Sequence, residues 1–236
     1  MPRPPRRRRH PGLPPPRGRA ARRPDRLPDR RPGAARPRAG PRSITERAER
    51  YLASVRNAFP GSGHRLRLAG WSFGAWTALS MAALAESQGR AVDALYLLDP
   101  PPPGAGRLLA AYSEEQVDAV FARELSGGRA GRLPDAGRAY ADRLAHCCRT
   151  NLAAMAAHHV PRLNSTPTTI WLAERPVGEG LLAPEPTAPD AWDHHLPGPR
   201  VERVAADHYE LVAEPHVQDI AAALSKARPP DPSTVA

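Results

Sequence analysis

Hydrophobic positions follow helical and strand-like spacing in turn along most of the chain. Segment 43–59 opens with a Ser-x-x-Glu capping box and then repeats apolar residues at helical spacing. Segment 65–70 is predicted to form a short strand, and 93–99 is a strongly apolar run of the kind buried in a parallel sheet. Between them, 73–89 has helix-forming composition and ends at Gly89, which is typical of a helix C-terminus. Strand, helix and strand within roughly thirty residues predicts a right-handed βαβ unit.

The second half of the chain continues this alternation after an interruption. Segments 166–174 and 200–205 are predicted strands, and 214–224 is a closing helix with a proline in its first turn. Before them, 113–126 (which starts with a Ser-x-x-Gln capping box) and 137–159 keep apolar residues in helical register. Strands alternating with helices predict an α/β domain with a mostly parallel sheet. The two consecutive helices break the alternation and are interpreted as an insertion.

Charge is distributed very unevenly over the 236 residues. The formal net charge is +10, but residues 1–42 alone hold 15 Arg and 2 Asp, so the other 194 residues carry −3. The basic excess therefore belongs to a tail. A basic groove on the folded domain is not expected, which argues against a nucleic-acid partner.

The first 42 residues also hold 12 prolines and almost no large apolar side chains. Such a segment cannot bury enough surface to offset its ordering entropy, so we expect a disordered tail over 1–42. The domain is expected over 43–228, followed by a second disordered tail over 229–236. No signal-peptide pattern and no run of membrane-spanning length is present, so we expect a cytoplasmic protein without a membrane partner.

The two cysteines suggest neither a disulfide nor a metal site. Cys147 and Cys148 are adjacent, and neighbouring cysteines rarely reach disulfide geometry. No metal-ligand spacing accompanies them. We interpret them as small apolar residues on a helix and predict no metal.

A candidate nucleophile lies between the first predicted strand and the following helix. Gly70-Trp71-Ser72-Phe73-Gly74 matches the G-x-S-x-G pattern in the strand–turn–helix context that the pattern requires. The glycines two residues before and after Ser72 are expected to let neighbouring backbone approach without a Cβ clash. The tight turn holds the Ser72 hydroxyl at the carboxyl end of the sheet, above the N-terminus of a helix. There the N–H of Phe73 can help to stabilise an oxyanion.

A nucleophilic serine needs a base and an acid that orients the base. His208 follows the last strand in a loop that leads to the last helix, and it is the predicted base. Asp99 ends the strand after the nucleophile helix and is the preferred acid, and Glu174 at the end of the next strand is the alternative. Asp207 adjoins the base and is predicted to shape its loop. The other histidines considered have ordinary places at a helix end, in a proline-flanked loop or in the last helix: His158, His159, His194, His195 and His216.

With these residues in place, the chain closely resembles the thioesterase domains that end nonribosomal peptide synthetases and some polyketide synthases. The likeness spans roughly 44–225; residues 50–104 and 207–224 carry it most clearly, and it is weakest through 104–165. The resemblance implies an α/β-hydrolase fold in which the insertion, about 104–165, is a helical lid over an acyl channel. It also implies a Ser72 nucleophile, a His208 base and an Asp99 acid, with lid residues facing the channel: Phe121, Tyr140, Leu144, Leu152 and Met155.

By the same resemblance, the substrate is an acyl or peptidyl group carried as a thioester on the phosphopantetheine arm of a carrier protein. The carrier protein is then the partner, and no cofactor is bound by the enzyme itself. Ser72 takes the acyl group as an ester, and hydrolysis or cyclisation releases it. A small-ester esterase or lipase of the same fold is the alternative, and an inactive truncated remnant is a further one.

The chain departs from these relatives at its start. Their first strand and a small-residue loop, which supplies the second oxyanion donor, correspond here to the arginine- and proline-rich residues 1–42. We therefore expect the N-terminal strands to be missing. The composition of the tail suits GC-rich DNA read in a shifted frame, and the hypothesis is that the start is misread or truncated.

Overall fold

A four-stranded parallel sheet organises the part of the chain that the structure describes. The structure is a computed structural model that describes residues 43–60, 66–109, 113, 115–116, 135–176 and 187–226. Each strand pairs in parallel with the next one in the chain. The parallel sheet is confirmed, and its strands are β1 (Leu66–Trp71), β2 (Val92–Leu98), β3 (Thr168–Ala173) and β4 (Arg200–Val204).

Four of the described helices occur where the apolar spacing predicts them, and a short helix after β2 was not predicted. The helices are α1 (Ile44–Ala58), α2 (Phe73–Ser87), a short α3 (Ala105–Leu109), α4 (Asp135–Ala156) and α5 (His216–Lys226), with 3-10 turns at Pro189–Trp192 and Glu210–Val212. The closing helix starts just after the proline that was expected in its first turn. None of the described helices is long and apolar enough to cross a membrane.

Both predicted capping boxes form hydrogen bonds at their serines. The Ser43 hydroxyl accepts a hydrogen bond from the Glu46 N–H at 3.1 Å, at the start of α1. In the insertion, the Ser113 N–H donates to the Gln116 side chain at 2.8 Å, and the Gln116 N–H donates to the Ser113 hydroxyl at 3.2 Å. This reciprocal pair satisfies two donors that a helix start leaves free. Most of the predicted helix 113–126 lies outside the described residues.

The sheet separates two apolar clusters because successive side chains of a strand point to opposite faces. On one face, Leu95 and Leu97 of β2 join the cluster that holds Leu52 of α1 and Trp76 of α2. On the other face, Tyr96 and Leu98 join a smaller cluster with Trp171 of β3 and two residues towards the C-terminus, Leu211 and Ile220. Helices therefore cover both faces, as a parallel sheet requires.

The C-terminus of α2 is closed by the glycine that the sequence suggests. Gly89 has φ +67, and its N–H donates to the carbonyl of Glu86 at 2.9 Å. The N–H of Arg90 donates to the carbonyl of Ala85, also at 2.9 Å. These two bonds form a Schellman motif, and its left-handed position favours glycine.

The Glu86 side chain connects the end of α2 to the segment that enters β3. Its carboxylate accepts hydrogen bonds from the backbone N–H groups of Asn164, Ser165 and Thr166, at 2.8, 3.1 and 2.8 Å. The Thr166 hydroxyl donates to the same carboxylate at 2.6 Å. Burial of Glu86 by itself raises its pKa, but the Thr166 hydroxyl and the three backbone donors outweigh it and lower the pKa below the usual value of 4.5.

Because the folded-state pKa of Glu86 is depressed, its stabilising contribution is present above the unfolded pKa and is lost as pH falls through the folded pKa. We expect Glu86→Gln to lower the free energy of unfolding at pH 7 by about 1–2 kcal/mol, or a few degrees in Tm for a chain of this size. Thermal melts between pH 7 and pH 3 test this. The difference in Tm between wild type and Glu86→Gln should become smaller at acidic pH. Glu49→Gln, on the exposed side of α1, is the control. An equal gap at both pH values would contradict the assignment.

Candidate active site

Ser72 occupies the tight turn between β1 and α2. Its backbone has φ 54 and ψ −126, in a positive-φ region that non-glycine residues rarely adopt. Its N–H donates to the carbonyl of Leu98 in β2 at 2.9 Å, and its own carbonyl accepts from the N–H of Ala75 at 2.9 Å. The turn is therefore fixed on both sides, and it places the Ser72 hydroxyl at the carboxyl edge of the sheet.

The two glycines of the G-x-S-x-G pattern differ in what surrounds them. A Cβ on Gly70 would lie 2.2 Å from the carbonyl oxygen of Gly74, whereas a Cβ on Gly74 would meet nothing within 4 Å. The G-x-S-x-G pattern predicts the same function for both glycines, a close backbone approach. The structure corrects this: only the first glycine is required for space, because the start of α2 packs directly on β1 there.

Asp99 directly follows β2 and also has a positive φ, of 42. Its N–H donates to the carbonyl of Trp171 in β3 at 2.7 Å. One carboxylate oxygen, Oδ1, accepts from the Ala173 N–H at 3.1 Å, and the other, Oδ2, accepts from Nδ1 of His208 at 2.6 Å. Both oxygens have a partner, so the carboxylate is held in one orientation.

His208 lies in the loop after β4, and 15% of its side chain is exposed, compared with 17% for Asp99. A carboxylate only accepts hydrogen bonds, so the Nδ1 of His208 carries the proton. In the neutral ring, Nε2 is then the unprotonated nitrogen, which is the tautomer a general base needs. Among the described residues, the Ser72 hydroxyl makes no hydrogen bond to this nitrogen.

Trp71 holds the loop of His208 against the turn that carries Ser72. Its ring stacks on the His208 imidazole with centroids 4.8 Å apart, and its indole N–H donates to the His208 carbonyl at 3.1 Å. Tyr209 packs edge-on against both rings, at 5.9 Å from Trp71 and 5.4 Å from His208. Sequence reasoning gave Trp71 no role in holding the histidine, because a contact across 137 residues leaves no local signal.

The loop itself is shaped by Asp207, as the sequence predicts. Its carboxylate accepts hydrogen bonds from the N–H groups of Tyr209 at 2.9 Å and Glu210 at 2.8 Å. The Glu210 side chain in turn accepts from the Asp207 N–H at 2.9 Å and pairs with Arg175. This local network fixes the backbone on both sides of His208.

Other candidate residues lie away from this arrangement. The Glu174 side chain is exposed, and His208 is hydrogen-bonded to Asp99 instead. Nε2 of His158 lies 3.1 Å from the Ser80 hydroxyl, and burial, with a smaller effect of neighbouring His159, lowers its pKa. Burial raises the pKa of Cys148 to about 11, which makes its thiol a poor nucleophile. Within the described ranges, no cluster of three or more potential metal ligands occurs.

The predicted channel residues are spread along the insertion. Phe121 lies outside the described residues, and Tyr140 lies on α4 in a part whose side chains are not described. Leu144 is 37% exposed, whereas Leu152 and Met155 are buried, and Met155 belongs to the main apolar cluster. The C-terminal part of α4 is therefore anchored in the core.

A serine on a strand–helix turn, an aspartate after the next strand and a histidine in the last loop define a site of the α/β-hydrolase class. A model of the thioesterase domain family matches residues 20–227. The chain therefore belongs to the thioesterase domain family, whose members are hydrolases. The matched range begins at residue 20, which is 23 residues before residue 43, where composition predicts the start of the domain.

Solved structures agree with this assignment. The thioesterase domain of NocB, in covalent complex with a fluorophosphonate nocardicin G analogue, is 25% identical with a TM-score of 0.57, covering 82% of this chain and 77% of that one. The type II thioesterase BorB from the borrelidin cluster is 23% identical with a TM-score of 0.55, covering 79% and 74%. RedJ, from the prodiginine pathway of Streptomyces coelicolor, is 20% identical with a TM-score of 0.56, covering 79% and 69%. A search of curated protein sequences gave no match.

The difference between the two glycines gives a sharp test of the turn. We expect Gly70→Ala to destabilise the protein by several kcal/mol or to prevent folding, because backbone atoms cannot yield to a Cβ at 2.2 Å. Gly74→Ala should leave Tm within a few degrees of wild type, since Ala suits the first turn of a helix. Expression yield and thermal melts of the two variants check this. Equal behaviour of the two variants would contradict the described packing of α2 on β1.

Proposed function

We propose that the protein releases an acyl or peptidyl group from the phosphopantetheine arm of a carrier protein, through an ester on Ser72, in nonribosomal peptide or polyketide biosynthesis. The observation that supports it most directly is the 2.6 Å hydrogen bond between Asp99 and His208, in a thioesterase-family chain whose Ser72 sits on a strained strand–helix turn. The likeness to the NocB thioesterase domain, from the nocardicin cluster, supports this class of substrate.

In the proposed acylation step, the Ser72 oxygen attacks the thioester carbonyl while Nε2 of His208 takes the hydroxyl proton. Asp99 stabilises the resulting imidazolium through Nδ1. The Phe73 N–H, at the N-terminus of α2, donates to the oxyanion. The C–S bond then breaks, and the proton on His208 passes to the departing sulfur, so that a free phosphopantetheine thiol and an acyl-Ser72 ester remain.

Deacylation uses the same residues in the opposite direction. His208 removes a proton from the incoming group, which is water for hydrolysis or a hydroxyl or amine of the acyl chain itself for cyclisation. The second tetrahedral intermediate collapses, and the proton returns to the Ser72 oxygen. Exclusion of water by the helices of the insertion would favour cyclisation over hydrolysis.

Phosphopantetheine enters this reaction as part of the substrate, so the enzyme needs no resident cofactor for it. The carrier protein is the expected partner and must present its arm at the carboxyl edge of the sheet, where Ser72 lies. Under this proposal the enzyme works in the cytoplasm, as expected from the sequence.

The residues of the proposed triad should act as a unit. We expect Ser72→Ala to abolish covalent labelling by a fluorophosphonate, His208→Ala to slow turnover as much as Ser72→Ala does, and Asp99→Asn to slow it by about 10⁴-fold. Glu174→Gln, which changes the other strand-end carboxylate, is the matched control and should leave turnover near wild type. If Glu174→Gln lost turnover while Asp99→Asn kept wild-type turnover, the acid that orients His208 would be Glu174, which follows β3.

The substrate class separates the proposal from a small-ester esterase of the same fold. We expect release of acyl groups from carrier-bound phosphopantetheine at a kcat/KM at least tenfold above that for p-nitrophenyl esters of the same chain length, because binding energy from the carrier arm is used in the transition state. Parallel assays with both substrates measure this ratio. A ratio below one would favour the esterase, and an unlabelled wild-type Ser72 would indicate an inactive remnant.

A further inference from the structure

Arg47 of α1 contacts two elements that the proposed reaction needs together. Its Nη2 donates a hydrogen bond to the side-chain oxygen of Asn151 on α4 at 3.0 Å. Its guanidinium carbon also lies 4.8 Å from the centroid of the Phe73 ring, within the range of a cation–π contact. Phe73 directly follows Ser72, and its N–H is the proposed oxyanion donor. One side chain thus connects the helix of the insertion with the nucleophile turn.

The helix that carries Arg47, α1, is fixed in the core. Ile44, Ala48 and Leu52 on α1 are buried at 0%, 1% and 0% exposure and belong to the main apolar cluster, which also holds much of α2. Arg47 lies on the same helix, so its backbone cannot shift without disturbing the core. The Arg47 side chain therefore extends from a fixed helix towards α4 and the start of α2.

Asn151 is oriented to receive the guanidinium. Its amide nitrogen donates to the sulfur of Cys147 one turn earlier on α4, at 3.9 Å, which directs its carbonyl oxygen towards Arg47. The pair is partly buried, so solvent screens the charge-assisted bond less than it would at the surface. A bond of this kind holds α4 at a defined distance from α1.

Simple packing does not account for an arginine at this position. Its Nε is buried and has no hydrogen-bond partner among the described residues, which costs free energy that an apolar side chain of similar length would not. Arg47 also faces a cavity of about 490 Å³ that runs past Trp71, Phe73 and Gly74, beside the nucleophile turn. The planar guanidinium can donate to Asn151 and lie over the Phe73 ring at once, which a lysine ammonium cannot do as well.

We propose that Arg47 is a positioning residue that couples the position of α4 to the turn that carries Ser72. With α4 in place, Asn151 holds the guanidinium over Phe73 and so fixes the start of α2, where the oxyanion donor lies. Without the bond from Asn151, the guanidinium is released and the turn loses this restraint. The inference rests on the proposed function in one respect, that Ser72 is the nucleophile.

A double-mutant cycle between Arg47 and Asn151 tests the coupling, with the rate constant for labelling of Ser72 by a small fluorophosphonate as readout. We expect Arg47→Met to slow labelling about tenfold, and Asn151→Ala to slow it several-fold although Asn151 is on a different helix from Phe73. The double variant should be no slower than Arg47→Met alone, and Arg47→Lys should not restore the rate. Arg50→Met, on the exposed side of α1, is the matched control and should label at the wild-type rate.

Two results would overturn the proposal. Additive effects in the cycle would show that the two residues act independently. A wild-type labelling rate in Asn151→Ala with a lowered Tm would show that its bond to Arg47 only stabilises the fold. If the wild-type protein is labelled on Ser72 but does not release carrier-bound acyl groups, the proposed substrate is refuted, and the double-mutant cycle still decides the coupling. If Ser72 of the wild-type protein is not labelled at all, both proposals are refuted.

Discussion

The parallel ladder continues one residue beyond the ends of two strands, and the arrangement of the site depends on this. The N–H of Ser72 donates to Leu98 at the end of β2, and the N–H of Asp99 donates to Trp171 in β3. Each residue is therefore fixed by the neighbouring strand just where its own strand stops. Since the carboxyl ends of parallel strands share one edge, Ser72 and Asp99 are brought to the same edge although 27 positions separate them in the chain.

Backbone strain accompanies both residues. Ser72 and Asp99 have φ values of 54 and 42, a region that costs a non-glycine residue about 1–3 kcal/mol. The surrounding structure holds them there: α2 packs its start against Gly70, and the Asp99 carboxylate is bonded on both oxygens. Strain of this kind persists only where packing and hydrogen bonds on all sides permit no other conformation.

Polar contacts between distant segments hold the elements around the site. Glu86 fastens α2 to the entrance of β3, Trp71 fastens the loop of His208 to the end of β1, and Arg47 reaches from α1 to α4. In the first contact, the Glu86 carboxylate accepts several hydrogen bonds and has a depressed pKa, and it stabilises the fold. The other two lie beside Ser72, where a shift of about 1 Å can change a rate by two orders of magnitude.

The sequence by itself determined the features that depend on neighbouring residues. Local spacing and turn chemistry predict the four strands, four of the described helices, the serine-based capping boxes and the closure of α2 at Gly89, and these agree with the structure. The candidate residues Ser72, Asp99 and His208 could also be selected, because all three follow strands whose carboxyl ends meet in any parallel sheet.

Only the tertiary structure decided between alternatives that look the same along the chain. Asp99 and Glu174 both end buried strands, but Asp99 is hydrogen-bonded to His208, whereas Glu174 is exposed. Gly70 and Gly74 stand equally far from the serine, yet only Gly70 faces backbone at contact distance. The stacking of Trp71 on His208 likewise joins residues 137 positions apart. These outcomes depend on distances between segments that fold onto one another, and local spacing carries no information about such distances.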